Sequence, residues 1–259
     1  MDRKTQITKM ITGKKFVSVE ELSQKFGVSG ETIRRDLKAL EVKGVLKRTY
    51  GGAFLEGSRE NDVSIQVRKS TLVKGKEDIA KLCLQFIQPD DTIFLDSSTT
   101  SLEIAKIITN LPVTIVTNSL LIVDYLSRHK DIRIILLGGV LDVVNMCFTG
   151  KTTLSELSNY FATKGFISCR SLSGKYGAMD SNEQIGLVRT EAMKNCYQSF
   201  LIADHTKFNQ TALYQIGNIE EFDAVITDEK PGEHWIQDLA EKNIPLLYPN
   251  SDETKQEES

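Results

Sequence analysis

The sequence lacks the residue patterns of several protein classes. Its four cysteines, Cys83, Cys147, Cys169 and Cys196, are widely separated and form no Cys-x-x-Cys pair, so neither a disulfide framework nor a zinc cluster is supported. The three histidines are too dispersed to predict a metal site. No apolar run approaches the ~18 residues of a membrane helix, and MDRKTQITKM contains no apolar segment typical of a secretory signal. We therefore expect a cytoplasmic protein with reduced thiols and no membrane partner.

An excess of one charge sign is also missing from the whole chain, whose net charge is −3. The charge is nevertheless unevenly distributed. Residues 1–53 contain 12 Lys and Arg against 6 Asp and Glu, a net charge of about +6, which leaves about −9 for the remaining residues. A basic segment of this kind favours contact with a polyanion such as DNA. We expect the first segment to bind nucleic acid and the acidic remainder to have a different role.

The basic segment contains two helix starts separated by a short turn. Ser18 and Glu21 have the spacing of a capping box, and the helix that follows is predicted to end at Gly27. A second helix is predicted to start at Ser29. An earlier apolar stripe predicts one further helix, which ends at Gly13. Two capped helices joined by so short a turn are typical of a helix-turn-helix unit.

The helix after Ser29 has the pattern of a recognition helix, because basic side chains surround its apolar stripe. Arginine can donate two hydrogen bonds to guanine or clamp a phosphate. Residues 45–52 alternate and end in a glycine pair, which predicts a small basic β-wing. The predicted DNA-binding residues are Ser29, Thr32, Arg34, Arg35, Lys38, Lys47, Arg48 and Tyr50. Either Arg34 or Arg35 is the base reader, and Asp36 is expected to orient one of these arginines from within the helix.

After Pro89, short apolar runs alternate with amphipathic segments. The predicted strands are 92–95, 113–116, 132–137, 165–168, 199–203, 224–226 and 245–247. The predicted helices are 100–108, 120–128, 153–161, 183–195 and 233–242. Strand–helix alternation predicts a Rossmann-like α/β fold with a mostly parallel sheet. Residues 63–76 are expected to be helical with a break at Gly75.

These patterns predict four consecutive segments. A winged helix-turn-helix domain over residues 1–56 is followed by a linker over residues 57–76, which begins in a polar, turn-rich stretch. The α/β domain is predicted over residues 77–250. Residues 251–259 are acidic and contain no apolar side chain, so a disordered tail is expected there.

Polar and charged residues follow several predicted strands, where parallel sheets bind their ligands. Hydroxyls and free N–H groups at a helix N-terminus suit phosphate, and glycine permits close backbone approach. Aspartate suits sugar hydroxyls, whereas lysine and arginine suit phosphate. The predicted effector-binding residues are Asp96, Ser97, Ser98, Thr99, Thr100, Thr117, Asn118, Ser119, Gly138, Gly139, Arg170, Asp204 and Lys207. Arg170 either reads a second anionic group or narrows the pocket.

The segment TIRRDLKALEVKGVLKRTYGGA resembles the winged helix-turn-helix signature of the DeoR family of bacterial transcriptional regulators, with residues 32–37 and 51–53 at the signature positions. IFLDSSTT, VTNS, LLGG, ADHTKF and ITD resemble the family's effector domain, so the resemblance covers nearly the whole chain. It implies sequence-specific DNA binding, a fold related to ribose-5-phosphate isomerase, and a phosphorylated sugar or sugar-derived metabolite as effector. The chain departs from the family where Ser97 or Ser98 replaces a glycine, and where residues 168–174 replace a G-[AV]-x-G-[IV] stretch.

The leading hypothesis is a repressor of a carbohydrate-utilisation operon that binds operator DNA as a homo-oligomer, either a dimer or a tetramer. It requires no cofactor, metal or catalytic residue. The alternative is a sugar-phosphate isomerase or deaminase with an accessory DNA-binding domain, in which Asp96, Glu183, Asp204 and Lys207 supply acid–base groups and a phosphate clamp. A third possibility is an architectural DNA binder, whose affinity is insensitive to sequence and metabolites.

Overall fold

The computed structural model describes residues 2–14, 16–49, 52–55 and 65–249. The chain divides into two compact units, residues 1–73 and residues 74–259. Residues 57–64 of the predicted linker and the whole predicted tail, 251–259, lie outside the described residues. The predicted domain boundaries therefore stay predictions. Within the described ranges, no helix combines the length and apolar character needed to span a membrane.

The first unit combines helices with a three-stranded antiparallel sheet. Its helices are α1 (Arg3–Lys14), α2 (Val19–Phe26), α3 (Gly30–Val42) and α4 (Ile65–Lys69). Its strands are β1 (Phe16–Ser18), β2 (Leu46–Thr49) and β3 (Gly52–Leu55), in the order β1-β3-β2. The wing formed by β2 and β3 was predicted, whereas β1 was not, because a three-residue strand leaves no periodic signal. One apolar core joins α1, α2, α3 and the three strands: Ile7, Ile11, Val17, Leu22, Ile33, Leu37, Leu40, Leu46 and Ala53.

Serine side chains start both helices of the helix-turn-helix unit. The Ser18 hydroxyl accepts a hydrogen bond from the backbone N–H of Glu21 (3.0 Å), and the Ser29 hydroxyl accepts one from Thr32 (3.3 Å). The predicted capping box is only half formed, because the Glu21 carboxylate pairs with Lys14. Each serine satisfies an N–H group that the first helical turn leaves free. The starts of α2 and α3 are thereby set by local chemistry.

Glycine ends α2 but does not end α1. Gly27 has a left-handed backbone (φ 62°), and its N–H donates to the carbonyl of Ser23. This is the conformation that glycine adopts without steric cost. The prediction that Gly13 ends α1 was wrong, since the helix continues to Lys14.

The second unit is built on a seven-stranded sheet whose adjacent strands all run parallel. Its strands are β4 (Thr92–Leu95), β5 (Thr114–Thr117), β6 (Arg133–Leu136), β9 (Ala162–Ser168), β12 (Cys196–Ile202), β14 (Ala224–Ile226) and β15 (Leu246–Leu247). Their spatial order is β15-β14-β12-β9-β4-β5-β6. All seven predicted strands are confirmed, and with them the α/β fold class.

Helices cover both faces of this sheet. They are α5 (Val73–Leu84), α6 (Thr99–Ile107), α7 (Leu120–Leu126), α8 (Lys151–Leu157), α9 (Glu183–Lys194) and α10 (Glu233–Glu241). Side chains of β4 alternate between two cores: Phe94 packs with α8, α9 and α10, whereas Ile93 and Leu95 pack with α5, α6 and α7. Both faces of a strand are buried in this arrangement, which explains the continuous apolar runs.

Two small sheets lie outside the seven-stranded sheet, and neither was predicted. One is a hairpin of β7 (Val140–Asp142) and β8 (Cys147–Thr149). The other contains β10 (Ser171–Ser173), β11 (Gly177–Asp180) and β13 (Tyr214–Gly217) in antiparallel pairs. Strands of three or four residues are too short to show a clear two-residue period.

The predicted helix break at Gly75 is wrong, because α5 runs through this residue. A Cβ atom at position 75 would lie 2.3 Å from the Asp228 Oδ2 atom. Glycine is therefore needed for the close approach of α5 to that carboxylate and does not mark a helix end.

Candidate DNA interface and effector site

The exposed face of α3 carries three basic side chains, Arg34, Arg35 and Lys38. The Arg34 Nη1 atom lies 3.7 Å from the Glu31 Oε2 atom, and both side chains are largely exposed. Among the described residues, no carboxylate pairs with Arg35 or Lys38. A surface of unpaired cations on a helix can approach phosphates without first breaking an ion pair.

The wing contributes two basic residues, of which one is paired with a carboxylate. Lys47 is exposed, and no carboxylate in the described ranges pairs with it. The Arg48 Nε atom donates to the Glu41 Oε2 atom (2.6 Å), and this bond lowers the pKa of the Glu41 carboxyl. Arg48 therefore positions the wing against α3 in this structure, and it would need to leave Glu41 to bind a phosphate. Tyr50 lies outside the described residues.

The two hydroxyls at the start of α3 are joined to each other. The Ser29 Oγ and Thr32 Oγ1 atoms are 3.0 Å apart, in addition to the cap bond that Ser29 makes. Ser29 is exposed and Thr32 is half-buried. Both hydroxyls lie beside the free N–H groups of the first helical turn, where a phosphate oxygen would be favoured.

Asp36 has a different partner from the one expected. Its carboxylate is buried and accepts a hydrogen bond from the Arg3 Nε atom of α1 at 2.5 Å. The expectation that Asp36 orients an arginine within its own helix is therefore wrong. Asp36 instead ties α3 to α1, and it leaves Arg34 and Arg35 directed away from the core.

The loop after β4 is organised around the buried carboxylate of Asp96. Its Oδ1 atom accepts hydrogen bonds from the Ser98 N–H (3.0 Å) and the Ser101 hydroxyl (2.6 Å). Its Oδ2 atom accepts from the Ser168 N–H (3.0 Å) and hydroxyl (2.6 Å) and from Arg189 Nε (2.7 Å). Burial opposes ionisation, but Arg189 and these hydrogen bonds lower the pKa of Asp96 to about 2. This corrects the expectation that Asp96 itself faces a sugar hydroxyl.

Arg189 and Asp180 complete this network and were missed in the sequence. The Arg189 side chain is buried in α9, where it donates to Asp180 through Nη1 and to the Ser168 hydroxyl through Nη2 (2.7 Å). Its only signal in the sequence is a charged residue beside the apolar stripe that contains Val188 and Ala192. The network joins the ends of β4, β9 and β11.

The first turn of α6 gathers small hydroxyl side chains at the carboxyl end of β4. Ser97, Thr99 and Thr100 are each less than a tenth exposed. The Ser98 hydroxyl caps the helix by accepting from the Ser101 N–H (2.9 Å). Hydroxyls and N–H groups at the start of a nine-residue helix can coordinate a phosphate oxygen. The structure thus brings all four predicted residues of this loop together.

The loop after β5 holds one hydrogen-bonding atom without a partner. The Thr117 hydroxyl donates to the Leu95 carbonyl (2.7 Å) and accepts from the Ser119 N–H (3.1 Å). Asn118 Nδ2 donates to the Phe148 carbonyl (2.8 Å). The Asn118 Oδ1 atom is buried and unpaired in the described structure. Such an atom is costly unless something donates to it.

The glycines after β6 serve close packing inside the protein. The Gly138 N–H donates to Glu156 Oε2 (2.7 Å), and its carbonyl accepts from the Thr153 hydroxyl (2.6 Å). Gly139 has φ +142°, and a Cβ atom there would lie 2.7 Å from the Thr149 carbonyl oxygen. The expectation that this pair admits a ligand is corrected, because α8 and β8 already occupy the approach.

Two lysines lie near the carboxyl end of β12. The Lys207 Nζ atom is 3.1 Å from the Thr206 hydroxyl and 3.5 Å from the Asp204 Oδ2 atom. Burial opposes ionisation of Asp204, but Lys207, Thr206 and Lys76 lower its pKa. Lys76, buried on α5, was missed because a single lysine in a charged segment gives no signal. The two lysines therefore offset the negative charge of Asp204 at this end of the sheet.

Arg170 and Ser171 follow β9, where the sequence departs from the family pattern. The Arg170 backbone N–H donates to the Met179 carbonyl (2.9 Å), and its side chain is half-buried without a carboxylate partner among the described residues. The Ser171 hydroxyl is buried and unpaired. Both proposed roles of Arg170 therefore stay open.

His205 lies between two carboxylates. Its Nδ1 atom is 2.8 Å from Asp228 Oδ2 and 3.5 Å from Glu229 Oε1, a grouping that has the donor atoms of a metal site. The backbone N–H of His205 also donates a hydrogen bond to Asp228 Oδ1 (2.7 Å), so Asp228 contacts both the backbone and the side chain of His205. The predicted absence of a metal stays a prediction.

Comparison with known proteins identifies both units. The DeoR-like helix-turn-helix domain matches residues 3–59, and the DeoR C terminal sensor domain matches residues 72–229. The chain is 32% identical to the HTH-type transcriptional repressor GlcR of Bacillus subtilis (strain 168), over 92% of each protein. It is 31% identical to the glycerol-3-phosphate regulon repressor of Escherichia coli (strain K12), over 94% of this chain and 97% of that protein.

A more distant likeness connects part of the chain with solved structures. Ribose 5-phosphate isomerase A from Methanocaldococcus jannaschii aligns with 51% of this chain and 53% of its own, at 14% identity and a TM-score of 0.36. The family assignment depends on the two domain matches and on the full-length relatives. The chain belongs to the DeoR family of transcriptional regulators.

Proposed function

We propose that this protein represses a carbohydrate-utilisation operon in the cytoplasm and leaves its operator when a phosphorylated sugar binds. The observation that carries the proposal is the exposed basic surface of α3 and the wing, on which Arg35, Lys38 and Lys47 have no carboxylate partner among the described residues, in a chain whose second unit is a sensor domain. Full-length relatives named as a repressor and as a glycerol-3-phosphate regulon repressor support the same function.

The effector site is proposed at the carboxyl ends of β4, β5 and β12. The first turn of α6 would bind the phosphate through its N–H groups and hydroxyls, with Lys76 and Lys207 supplying positive charge. The Asn118 Nδ2 atom is held by the Phe148 carbonyl, so its unpaired Oδ1 atom faces away from that carbonyl and can only accept. A sugar hydroxyl would supply the donor. Asp96 and Arg189 would shape the site without contacting the ligand.

The enzyme alternative would use Asp96 as a general base. Both oxygens of Asp96 already accept hydrogen bonds from the protein, and its pKa of about 2 makes it a poor proton acceptor near neutral pH. Glu183, a second acid of that alternative, is exposed at the start of α9. These observations favour a sensor that requires no catalytic residue or cofactor.

Two DNA-binding domains are proposed to act together. A single winged helix contacts few base pairs, and operators with two half-sites match a two-fold symmetric protein. We therefore propose a homodimer or homotetramer.

The test is a gel-shift titration with the DNA upstream of the protein's own operon. Salt and competitor DNA are held constant, because the affinity for phosphates depends strongly on ionic strength. A panel of hexose, pentose and triose phosphates is added to the complex. Release by one compound is expected. Turnover of a sugar phosphate by the purified protein, or DNA affinity that is independent of sequence, would contradict the proposal.

A further inference from the structure

The segment that follows β5 in the sheet is unusually poor in charge. Residues 134–150 include a single charged residue, Asp142, in a chain of which 26% is charged. The segment contains residues 134–136 of β6, the glycine pair and the hairpin of β7 and β8, and the exposed Arg133 precedes it at the start of β6. We call residues 140–149 the valine hairpin, after its three valine side chains.

The valine hairpin is attached by one strand and exposed on the other. On the attached side, Cys147 is buried, the Phe148 N–H donates to the Asn118 carbonyl (2.9 Å), and the Leu120 N–H donates to the Met146 carbonyl (3.0 Å). The outer residues are apolar and largely exposed: Val140 (70%), Leu141 (41%), Val143 (71%) and Val144 (48%). A contiguous apolar surface of this kind marks an interaction site in a soluble protein.

The hairpin is held in a defined shape. The Asp142 carboxylate accepts hydrogen bonds from the N–H (2.9 Å) and the side-chain amide (2.8 Å) of Asn145. The Asn182 amide lies 3.4 Å from the same carboxylate. Amide donors therefore occupy the one negative group of the segment, and the exposed valines are presented on a rigid turn.

The neighbouring edge of the large sheet is also open. β6 is the terminal strand of the seven-stranded order, and within the described residues no further strand pairs with it. Leu136, at its end, is 37% exposed. An edge strand with unpaired backbone groups and apolar side chains is rarely left to solvent.

We propose that the valine hairpin and the edge of β6 form the surface through which two copies of this chain associate. A two-fold axis places a surface against itself, so like charges near the axis would repel each other. The valine hairpin, with Asp142 as its single charged residue, meets this requirement, and the exposed Arg133 lies at the end of β6 that is farther along the chain from the hairpin. The inference rests on the proposed pairing of DNA-binding domains and names the surface responsible.

The test compares two exposed apolar positions of the full-length protein. Val143→Asp places a charge on the proposed surface, and Leu213→Asp does the same at a site that is 74% exposed elsewhere in the second unit. Sedimentation equilibrium is expected to show an oligomeric wild type, an unchanged Leu213→Asp variant and at least a tenfold weaker association for Val143→Asp. Circular dichroism verifies that both variants fold.

The possible failures are distinguishable. A wild-type chain that is monomeric throughout the titration would overturn the proposed pairing and this surface together. An oligomeric wild type with an unchanged Val143→Asp variant would overturn the surface alone, and would assign the hairpin to a lid or to another partner.

As a second measurement, Val143→Cys is treated with a short bismaleimide. A covalent dimer is expected for Val143→Cys, and none is expected for Leu213→Cys. The native thiols should contribute little to the reaction, because Cys83, Cys147 and Cys169 are buried and Cys196 is half-buried.

Discussion

At the scale of single residues, the charged groups of this protein fall into two sets. Arg3, Asp36, Asp96 and Arg189 are paired with partners in the same unit, and their charges maintain the fold. Arg35, in contrast, is exposed without a carboxylate partner among the described residues. Residue type does not separate these sets, since arginines occur in both. The set to which a charged residue belongs depends on whether it has a partner of opposite charge, and that partner is often distant in sequence.

Arg35→Ala is expected to weaken specific operator binding by about 5-fold or more, because a bidentate contact with a base contributes about 1–3 kcal/mol. Fluorescence anisotropy with labelled operator at fixed salt measures the effect. Lys9→Ala, which removes the same charge from the exposed surface of α1, is the matched control and should change affinity by less than threefold. Equal losses for the two variants would place the recognition surface elsewhere.

Lys207→Ala is expected to leave operator binding intact and to raise the effector concentration needed for release by 10-fold or more. The reason is the loss of a cation that lies 3.5 Å from Asp204, which would then repel a phosphate. Gel-shift titration with the inducing sugar phosphate measures this. Lys194→Ala, at an exposed position in the last turn of α9, is the control. An unchanged inducer response would remove Lys207 from the site.

The stability contributed by Asp96 should depend on pH. Its folded pKa of about 2 lies below the ordinary value of 3.8, so the ionised form stabilises the fold by about 2 kcal/mol above pH ~4. This contribution is lost as the pH falls from 4 towards 2. Urea unfolding should therefore show a stability difference between wild type and Asp96→Asn that narrows over this range. A difference for Asp96→Asn that stays constant over this range would contradict the lowered pKa.

At the scale of elements, the sequence predicted the strands of the large sheet and missed those of the two small sheets. All seven strands of the large sheet were recognised because each belongs to a short apolar run that alternates with amphipathic segments. The three-residue strands β7, β8 and β10 carry no such signal. The site behaves similarly: parallel strands bring their carboxyl ends to one edge, which made the polar loops predictable. The bond between Asp96 and Arg189 spans 93 positions, and no spacing rule predicts it.

Two glycines within helices should respond oppositely to alanine. Gly75→Ala is expected to destabilise the second unit by about 1–3 kcal/mol, because the new methyl group would meet Asp228 at 2.3 Å. Gly13→Ala has no atom within 4 Å and should stabilise the first unit by about 0.5–1 kcal/mol through helix propensity. The buried Trp235 reports unfolding of the second unit by fluorescence. Far-ultraviolet circular dichroism follows both units. A stabilised Gly75→Ala variant would show that α5 shifts at little cost.

At the scale of the whole molecule, the uneven charge matches a division of labour. The first 53 residues carry about +6 and the remainder about −9, so the basic unit is attracted to DNA while the acidic unit is repelled by it. Operator affinity should consequently fall steeply with salt. The negative charge of the acidic unit would disfavour non-specific contacts between that unit and DNA.

Coupling between the two units must be reciprocal. If the inducing sugar phosphate weakens operator binding by a given factor, operator DNA must weaken sugar-phosphate binding by the same factor, because the two factors express one coupling free energy. We expect a factor of about 10 to 100, the usual range for such coupling. Operator titrations with and without saturating sugar phosphate give one factor. Calorimetric titration of the sugar phosphate into free and operator-bound protein gives the other. Equal sugar-phosphate affinity in the two calorimetric titrations would mean that the sensor domain does not control DNA binding through this ligand.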